Sequence, residues 1–235
     1  LCVPARGLCP VPDLSDRRVN PLGIDLASLS VIADAVSTPY QAIVRSQLGA
    51  GDLAVFVGVG GVGGFGVQVA AARGARVIAI DVDDARLQRV AGHGAMLSLN
   101  AARLPPKELR ATVREVAKRE QLPSWRHKIF ETSGTPAGQS TAFGLLGPGA
   151  YLSVVGYTPR TVEVCLSHVM AFDAVVQGNW GCLPEHYPAV VELVLSGKVQ
   201  LAPFVEQRPL STINDVFTDL HQRGLPRRVV LVPER

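Results

Sequence analysis

Apolar and polar residues follow two periods along this chain. Short apolar runs at 53–57, 76–80, 96–99, 128–131 and 151–155 alternate with longer stretches at 62–73, 83–91, 106–121 and 134–146. The short runs predict buried strands and the longer ones helices. Ser37-Thr38-Pro39 predicts a further helix over 37–47, with Ser or Thr as its cap and Pro in its first turn. Glycine or proline punctuates nearly every junction. This alternation predicts βα units and an α/β fold: a doubly wound parallel sheet of six strands with 53–57 central. After residue 155 the pattern predicts a strand at 175–178, a helix at 184–196, a strand at 204–208, a helix at 211–222 and a last strand at 229–232. At the other end, Leu1-Cys2-Val3-Pro4 running into Leu8-Cys9-Pro10 reads as extended strand.

Residues 53–72 carry no charge over 20 positions, long enough for a membrane span. Yet Gly58, Gly60, Gly61, Gly63, Gly64 and Gly66 crowd that stretch, and β formers fill its start. A buried strand, a glycine turn and a buried helix explain it better, so no membrane partner is expected. The net charge of +3 and the scattered Lys and Arg argue against nucleic acid. Cys2, Cys9, Cys165 and Cys182 form no C-x-x-C pair, so they read as reduced thiols in a cytoplasmic protein. His93, His127, His168, His186 and His221 show no metal-binding spacing and read as surface or capping residues.

The chemistry sits in Gly58-Val59-Gly60-Gly61-Val62-Gly63, a G-x-G-x-x-G. It follows an expected strand and opens an expected helix, and the acid Asp81 ends the next strand. Gly58 allows the sharp turn, Gly60 lets backbone approach a pyrophosphate, and Gly63 lets the helix pack on the sheet. The free N–H groups of that helix end, around Gly60, Gly61 and Val62, suit phosphates. Asp81 suits the hydroxyls of an adenosine ribose and opposes a 2′-phosphate, which favours NAD over NADP. Asp83 or Asp84 is then the cap of the following helix. The competing reading is a glycine-rich turn in a nucleotide-free protein.

This loop, with Ser37-Thr38-Pro39-Tyr40, Val154-Val155-Gly156-Tyr157, Gly178-Asn179-Trp180-Gly181 and Arg227-Arg228-Val229-Val230, resembles the medium-chain, zinc-type alcohol dehydrogenases from about Val31 onward. The resemblance implies a Rossmann domain over 31–180. It makes 1–30 the end of a truncated catalytic domain with its linker, and 181–235 the return to that barrel-like domain. It implies that Arg86 lies beside the adenosine ribose, that Val155 and Gly156 meet the nicotinamide amide through backbone groups, and that Arg228 reaches the pyrophosphate. Thr38 is the candidate catalytic hydroxyl, although it could equally cap its helix. Asp34, the only charge in Leu29-Ser30-Val31-Ile32-Ala33-Asp34-Ala35-Val36, falls where zinc-type members place a metal ligand. It could instead cap a turn or pair with a base.

A closer likeness, in 32–41 and 56–66, is to members that oxidise a ring alcohol on a CoA thioester. The expected reaction is oxidation of a secondary alcohol to a ketone, with NAD and, in the full-length protein, zinc, by a homo-oligomer. A zinc-free enoyl or quinone reductase and a non-catalytic NAD-binding module are the alternatives. A chain without the barrel is expected not to turn over alcohols alone.

Overall fold

The computed structural model describes residues 2–222 and 224–234, apart from the side chain of Arg6. Leu1, where the expected first strand begins, lies outside them. Residues 2–13 form no strand: they are irregular, with a single 3₁₀ turn at Ala5–Gly7. The prolines at positions 4, 10 and 12 remove the donors that a ladder there would need.

In chain order the helices and strands are α1 (Leu26–Leu29), α2 (Ser37–Arg45), β1 (Leu53–Val57), α3 (Gly63–Ala72), β2 (Arg76–Asp81), α4 (Asp84–Ala91) and β3 (Leu97–Asn100). Then come α5 (Pro106–Arg119), β4 (His127–Glu131), α6 (Pro136–Gly144), β5 (Tyr151–Val154), α7 (Ser167–Ala171) and β6 (Val175–Gly178). The chain ends with α8 (Tyr187–Leu195), β7 (Val205–Pro209), α9 (Ile213–Gln222) and β8 (Arg228–Val232). β1 to β6 form one parallel sheet in the order β3-β2-β1-β4-β5-β6, while β7 and β8 pair in parallel separately. β1 is flanked by β2, with Leu53 opposite Arg76, and by β4, with Leu53 opposite His127. The order reverses between β1 and β4, so a crevice opens beyond the carboxyl ends of these two strands.

Strand alternation divides the core. Ala54 and Phe56 point to one face, with Phe65, Val67 and Ile43 from the helices. Leu53, Val55 and Val57 point to the other, against Leu109, Val113 and Val116 of α5. Both faces of β1 are therefore covered, which explains why it reads as a continuous apolar run. The charge-free stretch resolves into β1 and α3, and no helix of the described residues is long and apolar enough to cross a membrane.

Helix starts follow their caps in part. Asp83 caps α4, accepting from the amides of Ala85 and Arg86. Thr135 caps α6 ahead of Pro136. α2 is a correction: it begins at Ser37 itself, and neither Ser37 nor Thr38 caps it.

Phe56 and Phe130 stack at 4.7 Å beneath α3. A Cβ added to Gly66 would sit 2.3 Å from Phe56 Cε1. Gly66→Ala should therefore destabilise the fold by ~1–3 kcal/mol through overpacking. A denaturant midpoint equal to that of the unmodified protein would show that the ring moves aside freely.

Candidate functional site: the glycine loop and two flanking cavities

The loop after β1 is held from several sides. Gly58 has φ +88°, and a Cβ there would stand 2.5 Å from Ser133 Cα. A Cβ on Gly63 would stand 2.0 Å from the Gly58 carbonyl oxygen. These two glycines are required by the protein's own packing. Gly60 and Gly61 differ. Added Cβ atoms there would meet nothing nearer than the guanidinium groups of Arg86, at 3.6 Å, and Arg228, at 3.8 Å. Their bare backbone faces a space bounded by cations, a cradle that suits a pyrophosphate.

Asp81 lies at the end of β2 with a nearly buried side chain. One carboxylate oxygen accepts from the Val59 amide at 2.7 Å, and the other from the amides of Val82 and Asp83. Arg86 stands 3.9 Å from Asp81 and 3.6 Å from Asp83. Asp81 thus clamps the glycine loop, a task the sequence did not reveal.

Two cavities flank the loop. One, of about 610 Å³, is bounded by Gly60, Gly61, Arg86 and Arg228. The other, of about 300 Å³, is bounded by Val62, Asp34, Thr38, Val155, Gly156 and Asn179. Asp34 and Arg228 meet between them at 2.7 Å. The Thr38 hydroxyl donates to the other Asp34 oxygen at 3.0 Å. The Asn179 side chain, buried at the end of β6, donates to the Thr38 carbonyl and accepts from Gln41. It fixes the start of α2 against the end of the sheet. The amides of Val155 and Gly156 both donate to the Glu131 carbonyl at 2.9 Å, so neither amide is available to a nicotinamide. Trp180 is 88% exposed at the mouth of the smaller cavity and packs in no core.

Zinc needs about three or four donors. Asp34 is a single carboxylate already paired with Arg228. Among the described residues, no group of three His, Cys, Asp or Glu could hold a metal. The residues present do not make a zinc site.

Glu131 belongs to no motif that the sequence displays. It is fully buried at the end of β4. One oxygen accepts from the Ser133 amide and hydroxyl and the Gly134 amide. The other has no hydrogen-bond partner. Burial pushes its carboxyl above the ordinary glutamate value of 4.5, against the opposing pull of the hydrogen bonds from Ser133 and Gly134.

Comparison with known proteins adds a lineage to this geometry. The family model described as zinc-binding dehydrogenase matches residues 61–196. The L-threonine 3-dehydrogenase of Bacillus velezensis is 31% identical, over 91% of this chain and 60% of its own length. An alcohol dehydrogenase of Moraxella sp. is 25% identical over the same shares. The crystal structure of an alcohol dehydrogenase from Thermotoga maritima superposes with a TM-score of 0.80 at 25% identity, covering 90% of this chain and 58% of that one. The chain thus spans about three fifths of the length of these relatives.

Glu131 generates a pH-dependent expectation. A carboxyl with a raised folded pKa contributes stability that is complete below the unfolded value, near 4.5, and is lost as pH rises through the folded value. Glu131→Gln has no such loss. The melting temperature of the variant minus that of the unmodified protein should therefore become more positive from pH 4.5 towards pH 8. A difference that stays flat with pH would mean that Glu131 is not strained by ionisation.

Proposed function

The chain belongs to the zinc-binding dehydrogenase family, and on that premise we propose that it is an oxidoreductase that binds NAD and oxidises a secondary alcohol to a ketone. One observation carries this reading. The open backbone at Gly60 and Gly61, set between Arg86 and Arg228, leads past Val62 into a cleft holding a hydroxyl paired with a carboxylate. A nicotinamide bound there would supply the acceptor for the hydride leaving the carbinol carbon. The loop amides and Arg228 take the pyrophosphate, Arg86 lies beside the adenosine ribose, and Asp81 keeps the loop in shape. Asp81 at the ribose corner is the reason to name NAD rather than NADP. Thr38 donates its own proton to Asp34, which leaves its oxygen lone pairs for the substrate hydroxyl. The substrate proton then passes to Thr38 as the Thr38 proton passes to Asp34.

The finer substrate reading rests on residues 32–41 and 56–66. These segments resemble 6-hydroxycyclohex-1-ene-1-carbonyl-CoA dehydrogenase of anaerobic benzoyl-CoA degradation. On that likeness the alcohol is a ring carbinol on a CoA thioester.

A homo-oligomer joined through β6 completes the proposal. β6 is the sheet's edge, and Val175 and Val176 are 52% and 41% exposed on it. Such an edge is an open template for pairing.

Two measurements test these readings. Titration calorimetry should show NAD binding, weakened at least tenfold by Gly61→Asp, which puts a carboxylate where phosphate belongs. Equal affinity in the variant would remove the loop from the cofactor site. In analytical ultracentrifugation, Val176→Lys should lower the dimer fraction, and an unchanged sedimentation profile would place any interface elsewhere.

A further inference from the structure

A third cavity lies away from the glycine loop. It measures about 470 Å³, and its walls include Leu8, Cys9, Leu29, Ile32, Cys182 and Tyr187. Two of the four cysteines therefore face one space, although they come from opposite ends of the chain. All four thiols are free; Cys2 and Cys165 are exposed, whereas Cys9 and Cys182 are half-buried. An adjoining cavity of about 550 Å³ has Cys9 on one wall and Pro184 and Glu185 on another. Residues 7–10 and 182–188 thus face each other across both spaces.

Neither thiol is committed to its present place. Cys9 makes a 3.7 Å contact with the Pro10 carbonyl, and Cys182 a 3.5 Å contact with that of Leu183. Among the described residues, the backbone of 2–12 makes hydrogen bonds only within its own turn, from the amides of Gly7 and Leu8 to the carbonyls of Pro4 and Ala5. This segment can close on the cavity without breaking a backbone hydrogen bond to any other element. Cys182 is placed differently. It directly follows Asn179-Trp180-Gly181, which borders the smaller cavity beside the loop. Gln41 grips that turn from both sides: it accepts from the Leu183 amide at 2.6 Å and donates to Asn179 Oδ1 at 3.1 Å. Movement at Cys182 is therefore passed to the cleft. Burial pushes the Cys182 thiol up to about 11, against the pull of the Ser37 hydroxyl; the Glu185 charge adds to the rise and that of Arg45 opposes it. At neutral pH Cys182 keeps its proton, so an oxidant meets Cys9 first.

We propose that Cys9 and Cys182 form a reversible disulfide, which ties residues 7–10 to the turn at the mouth of the smaller cavity and makes that turn sensitive to peroxide. The Cys9 thiolate attacks the O–O bond of a peroxide and becomes a sulfenic acid; with hydrogen peroxide the leaving hydroxide takes a proton and departs as water. The Cys182 sulfur then attacks the Cys9 sulfur. The S–S bond forms, the S–O bond breaks, and the Cys182 proton leaves with the hydroxide as a second water. Two thiols are oxidised and one peroxide is reduced. A bridge needs the two Cα atoms within about 4–7 Å, which the segments reach by closing over the cavity between them. Disulfides of this kind in a reducing compartment are transient and redox-sensing, in keeping with thiols that are free at rest. The bridge forms whether or not the cleft beside it is that of a dehydrogenase.

The experiment keeps only these two thiols, in Cys2→Ser/Cys165→Ser, with Trp125→Phe added so that indole emission comes from Trp180 alone. Hydrogen peroxide at neutral pH, followed by denaturation and alkylation, should leave no thiol to alkylate. The digest should hold a cross-link between the Cys9 and Cys182 peptides of one chain, and dithiothreitol should restore both thiols. The Trp180 emission maximum should shift on oxidation and return on reduction. Adding Cys9→Ser or Cys182→Ser should abolish that shift. Two free thiols after oxidation, a sulfinic acid at Cys9 in place of the bridge, or a bridge formed only between chains overturns the proposal. A bridge that leaves the Trp180 emission unchanged overturns its link to the cleft. Where the substituted background folds poorly, peptide mapping of the oxidised unmodified protein decides the pairing, and any other partner for Cys9 or Cys182 overturns it.

Discussion

The site depends on how the turn after β1 is gripped. The Gly58 carbonyl accepts the Thr132 hydroxyl, which comes from the end of β4. The next residue's amide, on Val59, donates to Asp81, which comes from the end of β2. Neighbouring strands thus hold the two sides of one turn, and Gly63 packs onto the same Gly58 carbonyl. A glycine-rich segment loses more conformational freedom on folding than any other. Without those side chains the loop would be an ensemble, and its amides would not converge on one anion. Preorganisation here comes from the strand ends, because the glycines supply access but no rigidity.

The same reasoning explains the burial of Glu131. Its carbonyl holds the amides that follow β5, and its carboxylate holds the turn before α6. Thr132, the next residue, holds Gly58. Three segments that border the crevice are therefore registered against two consecutive residues, the last of β4 and the one that follows it. A buried carboxylate with one unpartnered oxygen is costly. A neutral side chain of equal length would keep one carbonyl oxygen for the three donors gathered there, but without the charge it would hold them less strongly. The arrangement exchanges stability near neutral pH for a fixed geometry at the mouth of the sheet.

What the sequence reveals follows from how local each signal is. β1, α3, β2 and α4 were legible to within about two residues, because strand, glycine turn, helix and acid follow each other without interruption. The Asp83 cap was legible for the same reason. α1 and α7 were not, since they have only four and five residues and show no period. Pro39 suggested a capped start for α2 in the wrong place: the Thr38 hydroxyl is drawn to Asp34 instead. Glu131 looked like an ordinary polar strand end, and only the sheet packing buries it. The Asp34–Arg228 contact joins residues 194 positions apart, so no local pattern could announce it. The gathering of Arg86, Arg89, Arg227 and Arg228 around the larger cavity was hidden likewise, because α4 contributes two of them and the start of β8, with the residue before it, the others.

The ion pair between the cavities has a bearing on how a dinucleotide could cross the loop. Side chains of Asp34 and Arg228 are 58% and 34% exposed, and exposed pairs are worth only about 0–1 kcal/mol. The pair is therefore too weak to lock β8 to the turn before α2. It does fix the direction of the guanidinium, which hangs over Gly61. A phosphate arriving there would exchange one anionic partner of Arg228 for another, or share its five donors with Asp34. In neither case does the arginine pass through an unpaired state. A cation positioned in this way meets its ligand with little reorganisation, which is the same economy that the strand ends provide for the loop beneath it.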